Sequence, residues 1–139
     1  MSHKITTNWK GNLLFDSDNP SGQHVLMDTD LEGKQREGLS PKALMLSSLA
    51  GCSGLDVVSI LEKMKVEVDD FKMEVEGLLT DEHPKYYHTV TVGYHFTGKN
   101  LSEEKIKKAV NLSIEKYCGV MEMFRQFAEV KTNVIFHNH

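Results

Sequence analysis

The sequence predicts an α+β fold in which a long central helix packs on an antiparallel sheet, in the order βββ-α-ββ-αα-β. Three observations predict it: short alternating segments near the N-terminus, one long apolar helical segment, and two later alternating segments followed by helical ones. With 139 residues, no repeat and no linker, the chain is expected to form a single domain over residues 1–139.

Three short antiparallel strands are predicted before residue 28. Apolar and polar residues alternate in each of them, and they cover Ile5–Trp9, Leu13–Phe15 and His24–Met27. Turn-forming residues separate the strands at Lys10–Asn12 and Asp16–Gly22. A polar loop, Asp28–Gly38, is expected to lead from the last strand to the helix.

The long helix is predicted from Pro41 to about Lys65. Ser40 is a favourable N-cap, and proline suits the first helical position. The apolar residues cover most of the helix circumference, and they are Leu44, Leu46, Leu49, Leu55, Val57, Val58, Ile60 and Leu61. This distribution predicts a helix that is buried on most sides.

Small residues fill the middle of this helix. They are Ser47, Ser48, Ala50, Gly51, Ser53 and Gly54. Another backbone can approach such a surface more closely than the usual ~8–10 Å between helix axes. Because a chain of this size has few helices to supply that partner, we predict a homodimer in which this helix shares a core with the second subunit.

The second half of the chain predicts a β-hairpin, two helices and a closing strand. Alternation at residues 71–76 and 89–96 is typical of a hairpin with one buried face. A serine and two glutamates at 102–104 predict a helix start. A short second helix, Val120–Phe127, and a strand at residues 130–136 complete the order.

Composition excludes several partners. The net charge of −4 and the absence of any Lys/Arg block longer than two argue against nucleic acid. No stretch is expected to reach the length of a membrane span, and the N-terminus lacks a signal-peptide core, so we expect a cytoplasmic protein without a membrane partner. The histidines follow no metal-binding spacing, no cofactor is expected, and His137 and His139 are interpreted as a frayed terminus.

Two cysteines are the candidates for chemistry. Cys52 is flanked by two glycines and a serine, which leave its sulfur uncovered. Cys118 falls at the junction of two predicted helices, where the second helix would offer free N–H groups. In a reducing compartment such cysteines are either inert buried thiols or a redox or metal pair. Periodicity alone does not show whether the two sulfurs meet.

A reactive thiolate needs a nearby positive charge or helix dipole. None of the residues on the helical face of Cys52 is a cation, and Asp56 on that face would oppose ionisation unless it anchors one. Lys42 lies ten residues from Cys52, ~15 Å along a straight helix. Arg36 is nearer to the helix in sequence than the other arginine, although its polar neighbours also fit a solvated loop. The candidate cations are Lys10, His24, Arg36 and Lys42.

The joint pattern resembles the OsmC/Ohr superfamily, the osmotically induced and organic hydroperoxide resistance proteins. The shared features are an N-terminal β-meander, a helix that opens with Ser40-Pro41, Gly51-Cys52-Ser53 in its middle, and Glu115–Cys118 late in the chain. The resemblance covers essentially all residues and is greatest with a less characterised OsmC-like branch. It implies an OsmC-like fold and an intertwined homodimer with its pocket at the subunit interface.

The resemblance also implies a reaction. Cys52 would be the peroxidatic thiolate that reduces an organic hydroperoxide to an alcohol and becomes a sulfenic acid, and Cys118 would resolve it to an internal disulfide. An external dithiol would then re-reduce the protein, whose role would be oxidative stress defence.

This sequence departs from the family pattern at two places. Family peroxidases carry a glutamate just after the helix-opening proline and an arginine in the first hairpin, whereas Lys42 and Ala43 follow Pro41 and Asn12–Asp16 contains no arginine. Three function classes therefore remain. They are a thiol-dependent peroxidase for organic hydroperoxides, a protein that binds or senses an apolar ligand without turnover, and a metal–thiolate site formed by both cysteines and a histidine.

Overall fold

The computed structural model describes residues 1–30 and 32–139 and confirms the predicted α+β element order. The elements are β1 (Thr7–Trp9), β2 (Phe15–Asp18), β3 (His24–Met27), α1 (Pro41–Lys63), β4 (Asp70–Leu79), β5 (Tyr87–Gly98), α2 (Glu103–Leu112), a π-helix (Ser113–Tyr117), α3 (Gly119–Arg125) and β6 (Glu129–Asn138). Among the described residues, the π-helix is the one element that the sequence did not predict. The chain divides into two units, Met1–Met45 and Leu46–His139, so the single domain stays a prediction.

The N-terminal unit contains the predicted antiparallel sheet, in the order β1-β2-β3. Strand β2 extends into the segment that was expected to be a turn, because Ser17 pairs with Thr7 and Val25 on the two neighbouring strands. The hydroxyl oxygens of Thr7 and Ser17 lie 2.9 Å apart, so a polar residue is satisfied within the sheet. The predicted loop Asp28–Gly38 includes position 31, which lies outside the described residues.

The C-terminal unit contains a mixed sheet in the order β4-β5-β6. Strands β4 and β5 form the predicted antiparallel hairpin, from Asp70 opposite Thr97 to Leu79 opposite Tyr87. Strand β6 pairs with β5 in parallel, so the sheet is not antiparallel throughout. A parallel pair needs a crossover of a dozen or more residues, and the helical segments between β5 and β6 supply it.

Helix α1 buries one stripe of side chains in this unit. The stripe repeats every four residues and consists of Leu49, Ser53, Val57 and Leu61. It forms one core with the inner face of β5, which presents Val90, Val92, Tyr94 and Phe96. Leu55 and Val58 lie outside the stripe and are 75% and 53% exposed. The prediction of burial on most sides is therefore wrong for a single copy of residues 1–30 and 32–139, in which Leu55 and Val58 remain exposed.

Helix α1 is also long and apolar enough to cross a membrane by length and composition. It has 23 residues and a mean hydropathy of 1.7 over an 18-residue window. The expectation that no stretch reaches the length of a membrane span is therefore wrong. The small residues in the middle of α1 lower its mean hydropathy but introduce no charge that would interrupt the apolar segment. A core helix of a globular protein meets the same criterion, so this property alone assigns no membrane.

The C-terminus is ordered as strand up to Asn138. The Nδ1 atom of His95 lies 3.0 Å from Nε2 of His137, and the two rings are stacked. Nε2 of His139 lies 2.8 Å from a carboxylate oxygen of Asp69. The interpretation of His137 and His139 as a frayed terminus is therefore wrong, because strand pairing with β5 and these side-chain contacts hold the segment.

Candidate redox site

The two cysteines meet within the C-terminal unit of one chain. Cys52 is half-buried in the middle of α1, and Cys118 is 4% exposed at the N-cap of α3. Both are free thiols, and Cys52 lies close enough to Cys118 to raise the pKa of the Cys118 thiol. The structure thus brings together two residues that sequence periodicity could not connect.

The π-helix determines where Cys118 lies. The backbone N–H of Cys118 donates to the carbonyl of Ser113 at 2.8 Å, five residues earlier, which closes the wide π-type turn. The N–H of Met121, in the first turn of α3, donates to the Cys118 sulfur at 3.3 Å. Backbone and sulfur are thereby both held, so Cys118 has little freedom to turn away from Cys52.

The environment of Cys118 favours its neutral form. Burial raises the pKa of its thiol to about 11, and the hydrogen bond and charge of Cys52 and the carboxylate of Asp56 act in the same direction. The Met121 N–H opposes this shift but does not cancel it. At neutral pH Cys118 is therefore a neutral thiol, and Cys52, which is half-buried, is the more accessible member of the pair.

The raised pKa of Cys118 predicts a pH dependence of stability for the reduced protein. The pKa of this thiol is 9.0 in the unfolded chain and about 11 in the folded protein, so the folded state binds the proton more tightly between these pH values. The contribution is fully present below about pH 9 and is lost as the pH rises toward about 11, by up to about 3 kcal/mol. Denaturant unfolding of the reduced wild type and Cys118→Ser across this range should show the steeper loss in the wild type. Equal slopes would contradict the assignment.

A buried hydroxyl cluster lies next to the cysteines. It consists of Ser53, Tyr94 and Ser113, all fully buried, and it ends at the half-buried carboxylate of Asp56. Ser53 Oγ lies 2.7 Å from the Tyr94 hydroxyl and 2.8 Å from Ser113 Oγ. Ser113 Oγ lies 3.1 Å from Asp56 Oδ2. Helix α1, strand β5 and the π-helix are therefore joined by one chain of hydrogen bonds.

The carboxylate of Asp56 determines which hydroxyl donates and which accepts in each hydrogen bond of this hydroxyl cluster. Ser113 donates its one hydroxyl proton to Asp56 Oδ2, so its oxygen accepts from Ser53, which in turn accepts from Tyr94. Burial raises the pKa of Tyr94, which keeps its hydroxyl protonated as the first donor. Each hydroxyl then has a partner for its proton, as buried polar groups require.

Arg125 is a residue of this region that sequence reasoning missed. Its Nη2 donates to the carbonyl of Ile114 in the π-helix, and its Nη1 lies 2.9 Å from Oε1 of Glu122. Its positive charge also lowers the pKa of Tyr94, against the larger effect of burial. One signal was available in the sequence: Arg125 is one of only two arginines and follows Cys118 by seven residues.

The other predicted site residues have different surroundings. Asp56 belongs to the site through its hydrogen bond with Ser113. Arg36 pairs with Asp30 at 2.9 Å within the N-terminal unit, and His24 pairs with Asp16 there. Lys42 lies in the first turn of α1. An action of Arg36 or Lys42 on Cys52 stays a prediction.

A cavity of about 400 Å³ opens beside Asp56. Its walls combine apolar side chains with a carboxylate and an ammonium, and they are formed by Asp56, Ser59, Ile60, Lys63, Met64, Leu112 and Tyr117. Tyr117 immediately precedes Cys118, so the cavity adjoins both cysteine-bearing segments. In residues 1–30 and 32–139, no group of three or more His, Cys, Asp or Glu side chains is arranged to hold a metal ion.

Comparisons with known proteins agree with this architecture. Protein YhfA of Escherichia coli K12 is 32% identical over 122 residues, which cover 88% of this chain and 89% of YhfA. The structure of a hypothetical protein from Aquifex aeolicus VF5 superposes with a TM-score of 0.87 at 29% sequence identity. The superposition covers 100% of this chain and 98% of the Aquifex chain.

More distant structures share the fold. The organic hydroperoxide resistance protein OhrB of Bacillus subtilis has a TM-score of 0.64 at 20% identity, with 96% of this chain and 98% of OhrB covered. The family model described as "OsmC-like protein" matches residues 32–133, which include both cysteines and the whole hydroxyl cluster. By this match, the chain belongs to the OsmC-like protein family.

Proposed function

We propose that this protein is a thiol-dependent peroxidase that reduces organic hydroperoxides to alcohols and contributes to oxidative stress defence. The observation that carries the proposal is the pair of neighbouring free cysteines, in which the buried Cys118 lies beside the half-buried Cys52. Membership of the OsmC-like family supports the same function.

The proposed cycle uses each cysteine once. The Cys52 thiolate attacks the terminal peroxide oxygen, the O–O bond breaks, and the alkoxide leaves and takes up a proton as the alcohol. Cys52 is now a sulfenic acid, oxidised by two electrons. The Cys118 sulfur then displaces hydroxide from Cys52, the thiol proton and hydroxide leave as water, and an S–S bond forms. A dithiol from outside the protein reduces this bond by thiol–disulfide exchange.

The neutral state of Cys118 suits a resolving role. Burial raises the pKa of Cys118, and the charge of Cys52 raises it further. A sulfenic acid at Cys52 is neutral, so its formation removes the second of these effects and increases the thiolate fraction of Cys118. Oxidation of Cys52 therefore favours attack by Cys118 in the second step.

The function is tested by hydroperoxide consumption. The wild type with dithiothreitol should consume cumene hydroperoxide at least ~100-fold faster than free cysteine at equal thiol concentration, because positioning contributes several kcal/mol. A rate no faster than that of free cysteine, together with saturable binding of an apolar probe, would favour a ligand-binding function. The partly apolar cavity beside Asp56 is the observation in favour of that second function.

We also propose that the protein acts as a homodimer formed along α1. Leu55 and Val58 are exposed apolar residues on this helix and line a groove together with Gly51 and Gly54. A methyl group added at Gly51 would meet no described atom within 4 Å outside its own helix turn. Glycine in a helix costs about 0.5–1 kcal/mol relative to alanine, so close approach of a second subunit explains it better than packing within the chain.

Leu55→Glu should dissociate the dimer. A carboxylate buried without a partner at the interface costs about 3 kcal/mol or more, which weakens association by about 100-fold or more. Sedimentation equilibrium measures the effect, and Met123→Glu is the matched control because Met123 is similarly exposed, at 65%, but lies on α3. A monomeric wild type, or a Leu55→Glu variant as dimeric as the control, would contradict the proposed interface.

A further inference from the structure

Ser113 connects the two cysteine-bearing segments, one through its side chain and the other through its main chain. Its side chain contacts α1, where Oγ lies 2.8 Å from Ser53 Oγ, 3.4 Å from the Ser53 carbonyl and 3.1 Å from Asp56 Oδ2. Its main-chain carbonyl accepts the N–H of Cys118 at 2.8 Å. Ser53 follows Cys52 directly in α1. A short path of hydrogen bonds thus runs from the backbone beside Cys52 to the backbone of Cys118.

The segment that Ser113 begins needs such an anchor. A π-turn carries an extra residue compared with an α-turn, and π-helices are rare and mostly single turns at functional sites. Relaxation of this turn to α-helical geometry would rotate the following residues by about 100°, the step of one residue in an α-helix. That rotation would carry the Cys118 sulfur away from Cys52.

We propose that Ser113 is a positioning residue whose hydroxyl, held by Ser53 and Asp56, fixes the π-turn so that Cys118 stays within bonding reach of Cys52. Its consequence is a high effective concentration of one thiol at the other, which favours the intramolecular disulfide. The proposal deepens the proposed function, since disulfide formation is the second step of that cycle, but the thiol pair can be tested without any peroxide.

Glutathione provides the test. In the equilibrium the protein dithiol and oxidised glutathione form the protein disulfide and two molecules of reduced glutathione, so two electrons pass from the protein to glutathione. The equilibrium constant measures the effective concentration of the thiol pair. It is read from the fraction of protein that resists alkylation after quenching in buffers of defined glutathione ratio.

Two variants separate positioning from general stability. Ser113→Ala and Tyr94→Phe each remove one buried hydroxyl from the same hydroxyl cluster, but Tyr94→Phe leaves every contact of Ser113 in place. We expect Ser113→Ala to lower the equilibrium constant by about 10- to 100-fold and Tyr94→Phe to change it by less than about 3-fold. Asp56→Asn, which weakens the same anchor at a half-buried position, should lower it in the same direction.

Several outcomes would overturn the proposal. Equal shifts in Ser113→Ala and Tyr94→Phe would show that loss of any hydroxyl of the hydroxyl cluster has the same effect. A wild type that forms no intramolecular disulfide with glutathione would remove the basis of the proposal. If Ser113→Ala does not fold, an unchanged constant in Asp56→Asn overturns it. Absence of peroxidase turnover with the expected glutathione shifts would instead reject the proposed function and leave the positioning role of Ser113 standing.

Discussion

Replacing Cys52 by serine should abolish catalysed consumption of an organic hydroperoxide. A serine hydroxyl is not ionised at neutral pH, so the variant has no nucleophile at the accessible position of the pair. Cys118 should not substitute for it, because its thiol is 4% exposed and burial raises its pKa to about 11. The measurement is loss of cumene hydroperoxide with dithiothreitol present, compared with the uncatalysed rate.

The control for this variant is Glu62→Gln, which changes an exposed residue on the same helix. It should retain the wild-type rate. If Cys52→Ser kept more than a small fraction of the catalysed rate while Cys118→Ser lost it, the roles of the two cysteines would have to be exchanged.

Replacing Cys118 by serine should limit each chain to one turnover when no reductant small enough to reach Cys52 is present. The first step needs only Cys52, so the initial burst should equal one equivalent of hydroperoxide per chain. Resolution needs a second sulfur within reach of Cys52, and the serine hydroxyl does not attack a sulfenic acid to form a disulfide. Stopped-flow measurement of the burst, with dimedone labelling of Cys52, reports both features.

A different result for Cys118→Ser would contradict the resolving role of Cys118. Steady turnover of Cys118→Ser at the wild-type rate with a bulky dithiol reductant would show that Cys52 is reduced directly. Cys118 would then be a buried structural thiol, as its position in the core cluster would also permit.

The sequence was informative about the elements that carry the site. Ser40-Pro41 marked the start of α1, and alternation in β5 placed Tyr94 on the buried face. Contacts between residues that are distant in sequence could not be predicted from the sequence. The Ser53–Tyr94 hydrogen bond joins residues 41 positions apart, and each hydroxyl alone is an ordinary feature of a helix or a strand.

The π-helix explains why the meeting of the cysteines was not predictable. Ile106, Val110 and Ser113 are spaced like residues on one face of an α-helix, and nothing in the residues Ser113–Tyr117 marks a wider turn. The wide turn is stabilised by tertiary contacts, the Ser113 side chain on α1 and the Arg125 guanidinium on the Ile114 carbonyl. Local propensity carries no trace of such contacts.

The apolar residues of α1 predict burial on most of its sides, and its small residues predict a second subunit that shares its core. Within one chain only one stripe of the helix is buried, and Leu55 and Val58 remain exposed. Hydrophobic periodicity reports which surfaces are apolar and does not report which chain covers them.

The most direct test of the central claim is the product of a single oxidation. Reduced wild-type protein is treated with one equivalent of cumene hydroperoxide, alkylated under denaturing conditions, digested and analysed by mass spectrometry. We expect a chain lighter by two hydrogen atoms, with neither thiol alkylated and a disulfide that links Cys52 to Cys118 of the same chain. Recovery of both cysteines in alkylated form, or a linkage only between different chains, would contradict it.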